Sequence, residues 1–268
     1  MSTTLDVNGL GMAAITLAEQ AGRAILEVYA GDFSVTHKAD CSPLTEADLR
    51  ANRLILAGLK ALTPHIPVLS EESSDLPLAE RQGWSRHWLV DPLDGTREFV
   101  SRNGEFTVNI ALIEDTRPIL GVVHVPAQRR SYAGAHGAGA TLISPEGTRE
   151  VRVAKPAHQP PRVVGSRSHR GDSLDAYLAA LGAHTFVGVG SALKFCVIAE
   201  GSADLYPRFG PTSQWDTAAG QAVVEAAGGV VLDMEGRPLR YSARADYLNP
   251  HFVVIGDASR NWLGKQGR

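Results

Sequence analysis

Between residues 88 and 99 the chain reads Trp-Leu-Val-Asp-Pro-Leu-Asp-Gly-Thr-Arg-Glu-Phe, an apolar run that breaks on two aspartates and a turn. Residues 87–90 suit a short buried strand, Pro92 cannot continue a ladder, and Asp94-Gly95 is a strong turn signal. Asp91 and Asp94 therefore stand at a strand's carboxyl end, where both carboxylates can converge on one point. Hard divalent cations such as Mg²⁺ take oxygen ligands and usually keep several waters, so two or three converging carboxylates with an open side suit one. The Leu93 carbonyl in the turn is a further candidate ligand. The same residues also read as a plain Asp-Gly turn capped by Asp91, and the rest of the chain has to decide.

Three other acids fall at comparable places. Ile66-Pro67-Val68-Leu69 is an apolar strand that ends in Ser70-Glu71-Glu72-Ser73, which puts Glu71 at a strand terminus, although paired glutamates usually lie on a solvated face. Thr45-Glu46-Ala47-Asp48 has the form of a capping box before a helix whose apolar face is Leu49, Ile55, Leu56 and Leu59, so the ordinary reading of Asp48 is a cap. Trp215-Asp216-Thr217-Ala218-Ala219-Gly220 opens a helix that runs to Gly228-Gly229, with Asp216 at the N-cap position. Glu71, Asp91, Asp94 and Asp216 thus all lie at element boundaries. Two divalent ions roughly 3.5–4 Å apart, bridged by one carboxylate, can clamp the attacking and departing oxygens at phosphorus. Spacing alone reaches metal-assisted phosphoryl transfer and no further.

The 268 residues leave room for one large domain or two small ones, and 44% hydrophobic content supports a real core. A net charge of −3 without a Lys/Arg run argues against a nucleic-acid polymer as partner. Cys41 and Cys196 are too few for a disulfide framework and read as reduced thiols, which points to the cytoplasm. No apolar run approaches the roughly 18 residues of a spanning helix, so no transmembrane segment is expected. Peripheral attachment on the inner face of the cell membrane stays open. Residues 10–28 have helical spacing with Gly31 as a stop, 33–38 read as a strand, and 104–114 and 118–125 read as an antiparallel pair about a turn at 115–117. The Gly/Ala run at 133–140 reads as a hairpin loop, because no helix with an apolar face follows it. The proline-rich stretch 156–161 is the best linker. It divides an α+β part, 1–155, from an α/β part, 156–268, whose strands are read at 162–165, 185–189, 230–233 and 251–255 and whose helices fall at about 172–181 and 193–200.

The motifs at 88–96, 70–72 and 215–220 resemble the signatures of the magnesium-dependent, lithium-sensitive phosphatases typified by inositol monophosphatase, and the resemblance runs over nearly the whole chain. Lys38-Ala39-Asp40, Ser42-Pro43-Leu44-Thr45, residues 103–112, Ser166-Arg167-Ser168-His169, residues 190–196 and residues 205–212 are most similar to the 3′(2′),5′-bisphosphate nucleotidase branch of that superfamily. Ser70 also fits that branch, since the inositol branch typically has Gly there. The resemblance implies a two-domain layered αβαβα sandwich of the inositol monophosphatase/fructose-1,6-bisphosphatase type, and two or three Mg²⁺ ions. Glu71, Asp91 and the Leu93 carbonyl would hold the first ion, and Asp91, Asp94 and Asp216 the second. Thr96 with Asp48 would polarise a water, while the Gly95 and Thr96 N–H groups would face the phosphate at a helix start. His169, Ser191, Lys194 and Arg208 would contact the remaining phosphate and the adenosine. Without the resemblance, Lys194 and Arg208 read as surface charges and Ser191 as a cap.

The activity so implied is hydrolysis of the 3′-phosphate of adenosine 3′,5′-bisphosphate to AMP and phosphate. The sulfated relative, 3′-phosphoadenosine 5′-phosphosulfate, would be a second substrate, in connection with sulfate assimilation. An inositol-1-monophosphatase or another small sugar-phosphate phosphatase is the alternative. A non-catalytic protein binding Mg²⁺ or a nucleotide is a further one, against which the intact Asp48 and Thr96 speak. Monomer and homodimer are both compatible with the sequence.

Overall fold

The structure, a computed structural model, describes residues 6–37, 43–166 and 171–263. Helix α1 (Val7–Ala30) starts where the Asp6 carboxylate accepts from the Gly9 N–H at 3.0 Å, and it buries Leu10, Ala14, Ala18, Ala21 and Ile25 along one face. A two-stranded ribbon follows, β1 (Thr36–His37) against β2 (Pro43–Leu44). It is shorter than the strand expected over 33–38, and Lys38 lies outside the described residues. Helix α2 (Glu46–Leu62) opens on the expected capping box: the Thr45 N–H donates to Asp48 at 2.8 Å, and the Thr45 hydroxyl accepts from the helix's first turn.

A seven-stranded sheet holds β3 (Val68–Ser70), β4 (Arg86–Asp94), β5 (Thr107–Glu114), β6 (Arg117–Val125), β7 (Arg130–Ala135), β8 (Gly139–Ser144) and β9 (Gly147–Val151), neighbours in that order. Only the β3/β4 pair is parallel. Short helices α3 (Leu78–Arg81) and α4 (Thr96–Val100) flank β4. The strand does not stop before Pro92 as the sequence suggests, but runs to Asp94. Its register against β5 shifts between Asp91 and Asp94, and such an irregularity is where a ladder tolerates a residue without an N–H. β5 and β6 join through Asp115-Thr116, both at positive φ, the geometry of a tight two-residue hairpin. The 133–140 run is a hairpin, although most of it is strand.

A five-stranded sheet follows the proline-rich stretch, with β10 (Arg162–Gly165), β11 (Thr185–Gly188), β12 (Leu205–Arg208), β13 (Val230–Asp233) and β14 (Phe252–Ile255) ordered β11-β10-β12-β14-β13. It is mixed, parallel around β10 and antiparallel around β14. Helices α5 (Asp172–Leu181), α6 (Leu193–Ala199) and α7 (Gln214–Ala226) complete the α-helices among the described residues.

These elements stack as helices, sheet, helices, sheet, helix. α1 and α2 cover the Trp88, Val90, Val108, Ile110 and Leu112 face of the seven-stranded sheet. The opposite face, with Leu89, Ala111, Ile113 and Val123, shares one core with α6, α7 and the inner residues Tyr206, Phe252 and Val254 of the five-stranded sheet. α5 closes the outer face through Leu174 and Leu178. The helix α7, from the second half of the chain, thus lies on the sheet of the first. The approach is close enough that a Cβ on Gly121 would stand 2.3 Å from the Ala219 carbonyl oxygen and one on Gly134 2.6 Å from Val223 Cα. Among the described residues no helix is long and apolar enough to cross a membrane. Nothing observed supports the peripheral attachment that the sequence left open.

Candidate active site

The carboxyl end of β4, the turn after β3 and the start of α7 meet at one place. There one carboxylate oxygen each from Glu71, Asp91 and Asp216 lies within 4.8 Å of the others. Glu71 opens a 3₁₀ turn (Glu71–Ser73) directly after β3. Asp91 is 1% exposed and its Oδ1 accepts from the Leu93 N–H at 3.1 Å, so the irregular end of β4 itself aims the carboxylate. Asp216 is not the N-cap the sequence suggests. Ser213 is, and Asp216 sits at the third helical position with its Oδ2 accepting from the Ser213 N–H at 2.8 Å. The same carboxylate thus caps the helix and belongs to the cluster. Burial, and after it the charges of Asp94 and Glu71, push the Asp216 carboxyl well above the usual carboxylate range. Such crowding of like charge is what a divalent cation would relieve, and an all-oxygen donor set suits a hard one.

Asp94 stands beside this trio rather than in it. Its Oδ2 accepts from the Ser191 hydroxyl at 2.8 Å and the Ala192 N–H at 2.6 Å. The Ser191 Oγ lies 2.6 Å from Thr107 Oγ1, which in turn lies 3.0 Å from Asn109 Oδ1. Ser191 has φ +53°, a left-handed conformation uncommon outside glycine, which these hydrogen bonds hold in place. Sequence reasoning placed Ser191 as a nucleotide contact or helix cap; here its hydroxyl orients Asp94. Thr107 and Asn109 were missed, although polar residues on one face of the otherwise apolar β5 were a signal.

The pair read as a water-orienting couple is also assembled. Thr96 Oγ1 lies 3.4 Å from Asp48 Oδ1 and 3.3 Å from the Leu93 carbonyl oxygen. Gly95, at φ +86°, is the left-handed residue that turns β4 into α4, and a Cβ there would stand 3.1 Å from Ser191 Cβ.

A cleft of about 390 Å³ opens from Asp94, Gly95, Thr96 and Asp216 to Lys194, Tyr206 and Arg208. Lys194 is 6% exposed, not the surface charge its sequence context allowed. Its ammonium donates to the Ser191 carbonyl at 2.6 Å and lies 5.3 Å from the centre of the Tyr206 ring. Burial pushes Lys194 down to about 8, aided by Arg208 and opposed by Asp94, Glu98 and Asp216. Arg208 donates to the Pro211 carbonyl at 2.9 Å, while its buried Nε has no partner. Glu98, on the same wall, is raised chiefly by burial. His169 and Cys41 lie outside the described residues. Cys196 is a buried free thiol.

Residues 8–261 match the model of the inositol monophosphatase family. The chain is 54% identical over 242 residues to the 3′(2′),5′-bisphosphate nucleotidase CysQ of Escherichia coli K12, covering 89% of this chain and 96% of that protein. The crystal structure of CysQ from Bacteroides thetaiotaomicron superposes with a TM-score of 0.84 at 40% identity, covering 96% of this chain and all of the other. An inositol monophosphatase from Thermotoga maritima shares the fold, with a TM-score of 0.74 at 24% identity over 91% of this chain and 90% of that one.

Proposed function

Because the chain belongs to the inositol monophosphatase family, we propose that it hydrolyses the 3′-phosphate of adenosine 3′,5′-bisphosphate to AMP and phosphate with Mg²⁺. The sulfated relative would be a second substrate, both in the context of sulfate assimilation. The observation that carries this reading is the joint lining of one cleft. Asp94 and Asp216, the latter also a member of the carboxylate trio, line the same space as Lys194 and Arg208, of which Lys194 is buried, as a substrate with two phosphates requires. The Escherichia coli relative named as a bisphosphate nucleotidase supports the same choice.

Glu71, Asp91, Asp216, Asp94 and the Leu93 carbonyl would hold the Mg²⁺ ions, two or three in number. When bound, Mg²⁺ supplies Lewis-acid charge at the phosphoryl group and draws down the pKa of a water. The residues do the rest. A threonine hydroxyl is no strong base, but Thr96, next to the buried Asp48 carboxylate, can accept a proton from water as its own hydroxyl proton passes to Asp48 Oδ1. The Gly95 and Thr96 N–H groups would meet the phosphate to be cleaved. Lys194 and Arg208 would hold the phosphate that stays, with His169 a further proposed contact. Ser191 acts here by fixing Asp94.

Asp91→Asn tests the reading at its centre. An amide cannot replace the charge of a carboxylate that faces both Glu71 and Asp216. The variant is expected to fold and to lose nearly all phosphate release at saturating Mg²⁺, and chelation of the metal should silence the parent protein. Retained turnover in either case would remove the metal site from the mechanism. An inositol phosphate used at least as well as the bisphosphate would favour the sugar-phosphate reading instead.

A further inference from the structure

Glu71 and Asp216 reach the cation cluster from different parts of the fold, one from the edge strand β3 and one from α7, and a loop between β13 and β14 touches both approaches. The Tyr247 hydroxyl donates to the carbonyl of Ser74, the residue that ends the Glu71–Ser73 turn. The Tyr247 carbonyl accepts from the Gln214 N–H at 2.8 Å, in the first turn of α7, and its ring lies 4.9 Å from that of Trp215, the neighbour of Asp216. The clasp is held from both sides. The guanidinium of Arg81, 5% exposed, lies 4.5 Å from the Tyr247 ring centre, and it donates to the Leu76 carbonyl at 3.2 Å and the Arg244 carbonyl at 2.9 Å. Asn249 Nδ2 donates to the Ser213 carbonyl at 2.7 Å and to Thr217 Oγ1 at 3.0 Å.

We propose that Tyr247 is a positioning residue for the cation site, fixing the separation of the Glu71 and Asp216 carboxylates through its contacts to Ser74 and the start of α7. The inference rests on the metal-dependent reading above. Two carboxylates on independently moving elements would have to be gathered by the cation itself, at a cost in affinity. A clasp that gathers them beforehand makes the same donors bind more tightly, as outer partners of metal ligands do elsewhere.

The test uses the full chain with Tyr247→Phe, which removes the hydroxyl and keeps the ring, and Tyr247→Ala, which removes both. Mn²⁺ binding to the substrate-free protein is followed by paramagnetic resonance, alongside the Mg²⁺ dependence of phosphate release and the metal-free melting temperature. In Tyr247→Phe we expect Mn²⁺ affinity to fall about tenfold. Its kcat should return to the parent value at saturating Mg²⁺, with a metal-free melting temperature within about 3 °C of the parent. Tyr247→Ala should weaken Mn²⁺ further. Unchanged Mn²⁺ affinity in both variants would overturn the proposal, as would a loss of kcat that saturating Mg²⁺ does not restore. A parent protein that binds no Mn²⁺ and releases no phosphate would bring down the metal-dependent reading itself, which separates the two failures.

Discussion

Asp48 divides its carboxylate between two tasks. Oδ2 accepts from the Thr45 N–H and hydroxyl at 2.8 and 2.6 Å, and Oδ1 faces Thr96. Capping and the proposed support of Thr96 therefore fall to one buried side chain. Asp48→Asn keeps a cap acceptor and removes the negative charge behind Thr96. It should leave the Mg²⁺ concentration for half-maximal activity near the parent value while kcat falls by about 10²–10⁴-fold, the usual range for lost acid–base assistance. A shift in Mg²⁺ dependence with kcat preserved would make Asp48 a structural cap alone. The acids themselves were legible in sequence because each stands where a strand or helix begins or ends. The setting of Asp94 was not. Ser191 and Thr107, whose hydroxyls meet 2.6 Å apart, are separated by 84 positions, and no local pattern announces such a pair. Lys194 was equally opaque, since α6 has only seven residues and its buried face depends on the five-stranded sheet behind it.

At the scale of elements, α7 carries the site. Its first turn bears Asp216, and its flank presses on β6 and β7 at Gly121 and Gly134, where no side chain intervenes. Gly121→Ala would force the helix away from the sheet. The expected cost is about 1–3 kcal/mol of stability, typical of an overpacked core, together with a higher Mg²⁺ requirement as Asp216 shifts. Denaturant unfolding and a Mg²⁺ titration check this, and unchanged stability would mean that the contact relaxes without moving α7. Helical spacing made α1 and α2 readable, and alternation made β5 and β6 readable. β4 ran past its proline because an irregular register absorbed the missing N–H, which tertiary pairing decides and local propensity does not. Asp216 was misplaced by three positions along α7 because Ser213 offers the cap and the capping box makes its third residue acidic.

Over the whole molecule, α7 lies between the two sheets and shares its core with both, so the division at 156–161 separates sheets in sequence but not their packing. Sequence pattern separated the strands of one sheet from those of the other, whereas the helix packed between them required the assembled layers. The interior also holds neutral histidines away from the cleft. His87 in β4 and His124 in β6 are both pushed down to about 4, by burial first and then by Arg81 beside His87 and by Arg23 beside His124, with a backbone contact at Arg130 opposing at His124. The unfolded chain holds these protons more tightly, so their neutral burial is fully tolerated above about pH 6.5, and stability falls as pH drops from there toward 4. Each group contributes on the order of 3 kcal/mol to that loss at most. Melting temperatures should therefore drop between pH 7.5 and 5, and less so in His87→Gln or His124→Gln than in the parent. Equal slopes in parent and variants would assign the acid sensitivity elsewhere.

Whether the cleft takes two phosphates is measured most directly by kcat/KM for adenosine 3′,5′-bisphosphate and for inositol 1-phosphate, in the parent and in Arg208→Ala. A charge-assisted hydrogen bond to the phosphate that is not cleaved is worth roughly 1.5–3 kcal/mol. The parent should prefer the bisphosphate. Arg208→Ala should lower kcat/KM for it by about 10–150-fold, while the slow hydrolysis of the one-phosphate substrate stays nearly unchanged. An equal loss on both substrates, or no loss on either, would contradict the assignment of Arg208 and with it the bisphosphate reading of the cleft.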